Sequence, residues 1–556
     1  MGCGKLLRRV VLSRHKEGLH VKLTNAGIIE NRKEWEEAGY DLPNFDIEAV
    51  KKETHDNPEW IHFGAGNIFR AFQANVVQEL LNAGKLKAGL IAAEGFDYEI
   101  IEKMYKPHDN LGILVTLKAD GDVEKTVVGS IIEALTVDSD NEIDMGRLKE
   151  IFRNPSLKMV SFTITEKGYS LVDGKGVYLE AVQQDMELGT VKPISYIGKV
   201  VALLYERYKA GALPIAMVSM DNCSHNGDKL FMAVHAYAKA WSEKGLVEKE
   251  FLSYVEDKGK VSFPWSMIDK ITPRPDASVE EILKNDGIEG LEHEITSKNT
   301  YVAPFVNAEE CQYLVIEDTF PNGRPALEEG GIIFADREVV DKVEKMKVCT
   351  CLNPLHTTLA VFGCLLGYEL ISKEMGNPNL KRLVEIIGYE EGLPVVVDPG
   401  VIDPKKFIDE VVNERIPNPF MPDSPQRIAT DTSQKLGIRF GETIKAYMKS
   451  DALDVKDIKR IPLVFAGWLR YLMGINDNGD KFELSSDPML ETVCPYVADL
   501  KLGDTEVHES VAPILANEKI FGVNLYEIGL GKLVEQYFVE MLAGKGAIMN
   551  TLKKYV

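Results

Sequence analysis

An α/β N-terminal domain built on a parallel sheet, joined to a mainly α-helical C-terminal domain, is predicted by three features of the 556-residue sequence. Short apolar runs (WIHF from Trp60, then AGLIAA, GILVTL, KMVSFTI and PIAMVSM) alternate with helical stretches, the pattern of strands whose helices cover both faces of a parallel sheet. The turn Gly64-Ala65-Gly66 follows the first run and opens a helix. From about residue 337 the strand patterns largely stop and long helical patterns take over, among them DREVVDKVEKMK, LHTTLAVFGCLLGYELISKEM and VNLYEIGLGKLVEQYFVEMLAG.

A chain of this length exceeds one hydrophobic core, so residues 1–336 are read as the α/β domain and 337–556 as the helical one. Within the first, residues 1–58 are polar, lack a cofactor motif, and read as an extension packed on that domain. No internal repeat or low-complexity segment stands out.

The 64 basic and 86 acidic residues give a net charge of -22, which repels phosphate backbones and anionic lipid and argues against nucleic-acid and membrane partners. A small anionic substrate would need a local basic pocket. The seven cysteines are few, odd in number and mostly in apolar surroundings, as expected of reduced thiols in a cytoplasmic protein. The N-terminus has no apolar core of signal-peptide length, no run reaches transmembrane length, and Leu6 stands where a myristoylation pattern requires Ser or Thr.

The segment Gly64-Ala65-Gly66-Asn67-Ile68-Phe69-Arg70 places a glycine turn between a strand and a helix N-terminus, where unpaired N–H groups and the helix dipole favour a pyrophosphate. This arrangement makes the domain Rossmann-type, although Phe69 replaces the third glycine of the usual fingerprint. The next strand ends at Glu94, near the position from which a carboxylate accepts hydrogen bonds from the adenosine ribose and repels a 2′-phosphate. NAD is therefore the expected cofactor, with Asp97 a competing candidate for the ribose contact.

Four further segments stand out from plain scaffold: Thr165-Glu166-Lys167-Gly168-Tyr169, Ser219-Met220-Asp221-Asn222, Phe263 to Asp269 (FPWSMID), and Lys347…Asn353…His356. The first two follow predicted parallel strands, where open α/β sheets place ligands, and this makes Glu166 a cofactor-side candidate. Together with VIEDTFPNGRPALE, RIATDTSQK and FAGWLRYL in order, these segments resemble the long-chain mannitol dehydrogenase family from about Trp60 to the C-terminus. KVCTCLNPLHTTLAVFGCLLGY leans toward its branch acting on mannonate and fructuronate.

The resemblance implies NAD-dependent, metal-independent interconversion of a sugar acid or polyol with its keto form. It implies Lys347 as acid/base, Asn222 and Asn353 as amides on the reacting oxygen, and His356 as the residue that orients the substrate. It further implies Asp269 near the lysine and nicotinamide, Arg427 and Lys435 at the far end of the substrate, and Glu344 near the water path of the lysine. A partly buried lysine can serve as a base near neutral pH without a metal.

The family pattern places four residues between lysine and asparagine, whereas five, Val348 to Leu352, intervene here. At about 100° per residue, the extra one would turn Asn353 and His356 off the expected face of a straight helix. Pro354 cannot donate to the carbonyl of Thr350, so a π-bulge or kink between Val348 and Asn353 is expected. The competing reading is a helix break with Asn353 as N-cap. Two other functions compete: a zinc alcohol dehydrogenase using Cys349, Cys351 and His356, and an NAD-binding redox sensor without turnover. The C-x-C spacing is weak for zinc, and a sensor has no use for the acid/base set.

Overall fold

The computed structural model describes residues 21–556, so the basic N-terminus with Gly2, Cys3 and Leu6 lies outside the described residues. Strands β1 (Trp60–Phe63), β2 (Leu90–Glu94), β3 (Ile131–Thr136), β4 (Met159–Phe162), β5 (Ile215–Ser219) and β6 (Val261–Ser262) form one sheet. Every pairing is parallel, and the spatial order is 3-2-1-4-5-6, the doubly wound arrangement whose ligand crevice opens between β1 and β4. β1, β2, β4 and β5 are buried along their whole length, which is why they read as unbroken apolar runs. Alternation sends Ile61, Phe63, Val160 and Phe162 into one core with Leu148, Phe152 and Val200, and Trp60, Met159 and Val218 into another with Phe72, Val76 and Leu80.

GILVTL is not part of this sheet. Gly112–Leu117 pairs antiparallel with Val123–Val128 across the turn around Gly121, and parallel with Phe305–Glu309, in a second four-stranded sheet. Parallel neighbours need a long crossover, and the five residues Lys118 to Asp122 permit only a hairpin. A third sheet pairs Ser266–Asp269 with Tyr313–Glu317 and carries Asp269 toward the crevice. In the 21–58 segment, the strand Tyr40–Asp41 joins the edge of the second sheet.

From Arg337 onward the elements are helices. Two of them, Asn353–Leu366 and Arg460–Leu472, are almost wholly buried and form the centre of the largest core. They touch closely at Gly467, where an added Cβ would lie 2.8 Å from the Phe362 ring. The continuous helical run Arg337–Leu366 has the length and mean hydropathy (1.4) of a membrane span, but 72% of that apolar window is buried inside the protein, as in a core helix. The six described cysteines are all free thiols.

Candidate active site

The crevice begins at the glycine turn. Gly64 has φ +105°, and a Cβ there would sit 2.2 Å from the carbonyl oxygen of Thr163 at the end of β4, so no other residue fits where β1 and β4 diverge. A Cβ on Gly66 would meet nothing within 4 Å, which leaves an open face over the turn. The helical run that follows starts at Asn67, passes through a π-helix at Phe69–Gln73 and continues as Ala74–Asn82. Half-exposed Gly66, Asn67 and Ile68 border this face, and Ile68 lines the cavity described below.

Phe69 and Arg70 turn away from it. Phe69 is buried and stacks on His62 with ring centroids 4.2 Å apart, and Arg70 donates to the Ala303 carbonyl at 2.8 Å on the inner side of the helix. Both side chains therefore have packing roles, because helical phase carries them into the core. Glu94 ends β2 as expected, but its carboxylate accepts from the N–H groups of Ala65 (2.9 Å), Phe96 (2.8 Å) and Asp97 (3.1 Å) and so braces the glycine turn. Burial raises its carboxyl above the usual range, against the pull of those three donors. Asp97 accepts from Thr296 Oγ1 at 2.6 Å.

Beyond β4 and β5, Asp221 accepts from the N–H groups of Ile164 (2.9 Å) and Thr165 (2.8 Å) and from Tyr169 Oη (2.5 Å). This holds Thr165 at φ +63°, and Glu166 then projects into solvent, where it pairs with Lys229. Glu166 is therefore at the rim, outside the cavity that holds Lys347. Asn226 ties the same loop to the third sheet through the Asp221 carbonyl (3.0 Å) and Ser266 (3.0 Å).

Lys347 projects into the crevice from a π-helix at Lys347–Cys351, between the α-helices Arg337–Met346 and Asn353–Leu366. It is buried, and its Nζ lies 3.3 Å from Asn222 Oδ1, 3.2 Å from the Ile268 carbonyl and 3.2 Å from Asp269 Oδ1. The expected helix irregularity is thus a π-bulge. Leu352, not Asn353, is the N-cap, and the Asn353 amide makes no hydrogen bond within the described residues. Lys347, Asn222, Asn353, His356 and Asp269 all line one cavity of about 370 Å³.

His356 Nε2 is 3.4 Å from Asp423 Oδ2. Burial pushes the imidazole down to about 4, with Asp423 opposing and Arg439, Arg427 and Arg415 reinforcing, so it is neutral at pH 7. Arg427 and Lys435 do not line the cavity. The Arg427 side chain is 62% exposed and pairs with Asp423, and Lys435 caps the carbonyls of Ile428 and Thr430. Glu344 lines a separate cavity with Cys349, while Cys351 faces the Pro404 carbonyl at 3.8 Å. Cys349, Cys351 and His356 therefore point three different ways.

Four charged residues escaped the sequence reading. Arg415 lines the cavity and donates to both Asp269 and Glu309; Asp423 also lines it; Arg439 donates to Thr357 beside His356. Burial pushes the Arg439 guanidinium down to about 10. None carries a local signal in the sequence: Glu309 ends a strand, Asp423 lies in a loop, and Arg415 and Arg439 sit in π-helical segments that no motif announces. Burial alone would raise the Asp269 carboxyl, but Lys347 and Arg415 outweigh it and hold it at about 2.

A 3-2-1-4-5-6 sheet with a glycine turn at its switch point, facing a buried lysine backed by carboxylate and amides, defines a Rossmann-type dehydrogenase with a helical companion. The chain belongs to the mannitol dehydrogenase family: residues 58–329 match the mannitol dehydrogenase Rossmann domain and 339–541 the mannitol dehydrogenase C-terminal domain. It is 54% identical to the D-mannonate oxidoreductase of Thermotoga maritima, over 96% of this chain and 98% of that one. Two solved structures are similar throughout. A substrate-free D-sorbitol dehydrogenase aligns at TM-score 0.74 and 25% identity, covering 92% of this chain and 97% of its own. The Pseudomonas fluorescens mannitol 2-dehydrogenase, a ternary complex with NAD and D-mannitol, aligns at TM-score 0.65 and 26% identity, covering 96% and 99%.

Proposed function

We propose that this chain interconverts D-mannonate and D-fructuronate with NAD(H), using Lys347 as acid/base and no metal, in a cytoplasmic setting. The observation that carries the substrate is the 54% identity, end to end, to a D-mannonate oxidoreductase. The lysine role is supported by its placement among Asn222, Asn353, His356 and Asp269 in one cavity. The open face over Gly66 and the helix start at Asn67 suit the pyrophosphate of a dinucleotide, which supplies a hydride acceptor when bound.

In the oxidation direction the Lys347 amine takes the hydroxyl proton of the substrate, and in reduction it returns it. The Asn222 carbonyl oxygen faces the lysine, which leaves its NH2 group for the reacting oxygen. The Asn353 amide supplies a second donor there, so both stabilise developing alkoxide charge. Neutral His356, fixed by Asp423, orients a neighbouring hydroxyl.

Steady-state kinetics with NADH on fructuronate, tagaturonate and fructose tests the substrate. The highest kcat/KM is expected on fructuronate. A higher value on tagaturonate or fructose would overturn the assignment.

A further inference from the structure

Arg415 ends a π-helix at Val411–Arg415 in the helical half and is enclosed by two carboxylates of the N-terminal half. Its Nη1 donates to Asp269 Oδ2 at 2.5 Å and its Nη2 to Asp269 Oδ1 at 3.1 Å. Nε and Nη2 also donate to Glu309 Oε2 (2.9 Å) and Oε1 (2.8 Å). All three side chains are at most 7% exposed. Asp269 Oδ1 is thus shared between Arg415 and the Lys347 ammonium at nearly equal distances.

We infer that Arg415 is a positioning residue that sets the pH at which Lys347 works, by drawing the Asp269 carboxylate to itself and loosening its hold on the lysine proton. A carboxylate that accepts two charge-assisted bonds from a guanidinium has less field left for a third cation. The charges around the lysine amine make this consequential. Asp269 faces it from the strand Ser266–Asp269, Glu309 stands behind Asp269, and His356 on the next helix is neutral. Asp221 is engaged by Tyr169, Lys270 donates to the Glu309 carbonyl, and Glu344 lines the other cavity. With Arg415 in place, two carboxylates are balanced by Arg415 and a protonated Lys347. Without it, the ammonium becomes the sole partner of Asp269, and release of its proton leaves a buried carboxylate unpaired.

The inference rests on Lys347 being the acid/base, and the two fail separately: near-normal turnover by Lys347→Ala removes that reading whatever Arg415 does. The test is the pH dependence of kcat for mannonate oxidation in the double variant Arg415→Gln/Glu309→Gln, which removes the cation together with its second carboxylate. Arg415→Lys accompanies it as a conservative change, and NADH affinity and mannonate KM are measured for both. The rising limb of the double variant is expected to move up by about one pH unit or more, so that the rate drops about tenfold at neutral pH and recovers in alkali. NADH affinity should stay within about threefold. Arg415→Lys should show the same displacement in smaller measure, and it carries the test alone if the double variant does not fold. A profile superimposable on the wild type, or a loss by one constant factor at every pH, overturns the inference.

Discussion

The N–H of Leu352 donates to the carbonyl of Lys347 at 3.1 Å, five residues back instead of four. This bond absorbs one residue relative to regular α-helix between Lys347 and Asn353. It lets Lys347, Asn353 and His356 face one cavity although they lie on two helices.

An absorbed residue should be dispensable. Deletion of Val348 is expected to convert the bulge to regular α-helix without rotating Asn353, and turnover should stay within about tenfold of the parent. Insertion of an alanine at the same point exceeds what one bulge can absorb, and should cost about 10²-fold or more. Equal damage from deletion and insertion would contradict the bulge as the phasing device.

Cofactor preference is expected to follow the acidic pair after β2. Glu94→Ser with Asp97→Ser should lower the NADH-over-NADPH ratio of kcat/KM by about tenfold, one charge-assisted bond lost. Because the Glu94 carboxylate braces Ala65, the same change should also weaken NADH itself. An unchanged ratio would free both residues from the ribose.

The imidazole of His356 is held down to about 4, so it carries no charge through the working range. His356→Gln should reduce kcat/KM while leaving the acid limb of the pH profile where it was. Displacement of that limb would show that His356 titrates during turnover.

Arg427 rests on Asp423 at the cavity wall, and a sugar-acid carboxylate would compete for its guanidinium. Arg427→Met is expected to raise KM for fructuronate by about tenfold or more relative to an uncharged ketose. Equal changes on both substrates would assign the cation to structure.

Much of the fold is legible in the sequence because strands buried on both faces leave unbroken apolar runs. β1, β2, β4 and β5 were readable for that reason. GILVTL looks the same but belongs to another sheet, since an apolar run does not encode its pairing partner. Lys347, Asn222, Asn353, His356 and Asp269 were legible through ordered motifs. Arg415 was not: its partners lie 146 and 106 residues away, and a buried ion pair leaves no periodicity. The inward turn of the Arg70 side chain was not legible either, since a motif position says nothing of which way helical phase turns it.

The central claim is that the Lys347 amine carries the proton while the Rossmann half carries the cofactor. Single-turnover reduction of fructuronate by Lys347→Ala, with NADH binding followed on the same sample by fluorescence, tests it most directly. The expected result is NADH affinity near that of the parent and a rate lowered by about 10²–10⁴-fold. A variant that binds NADH and turns over at near-normal rate would contradict it.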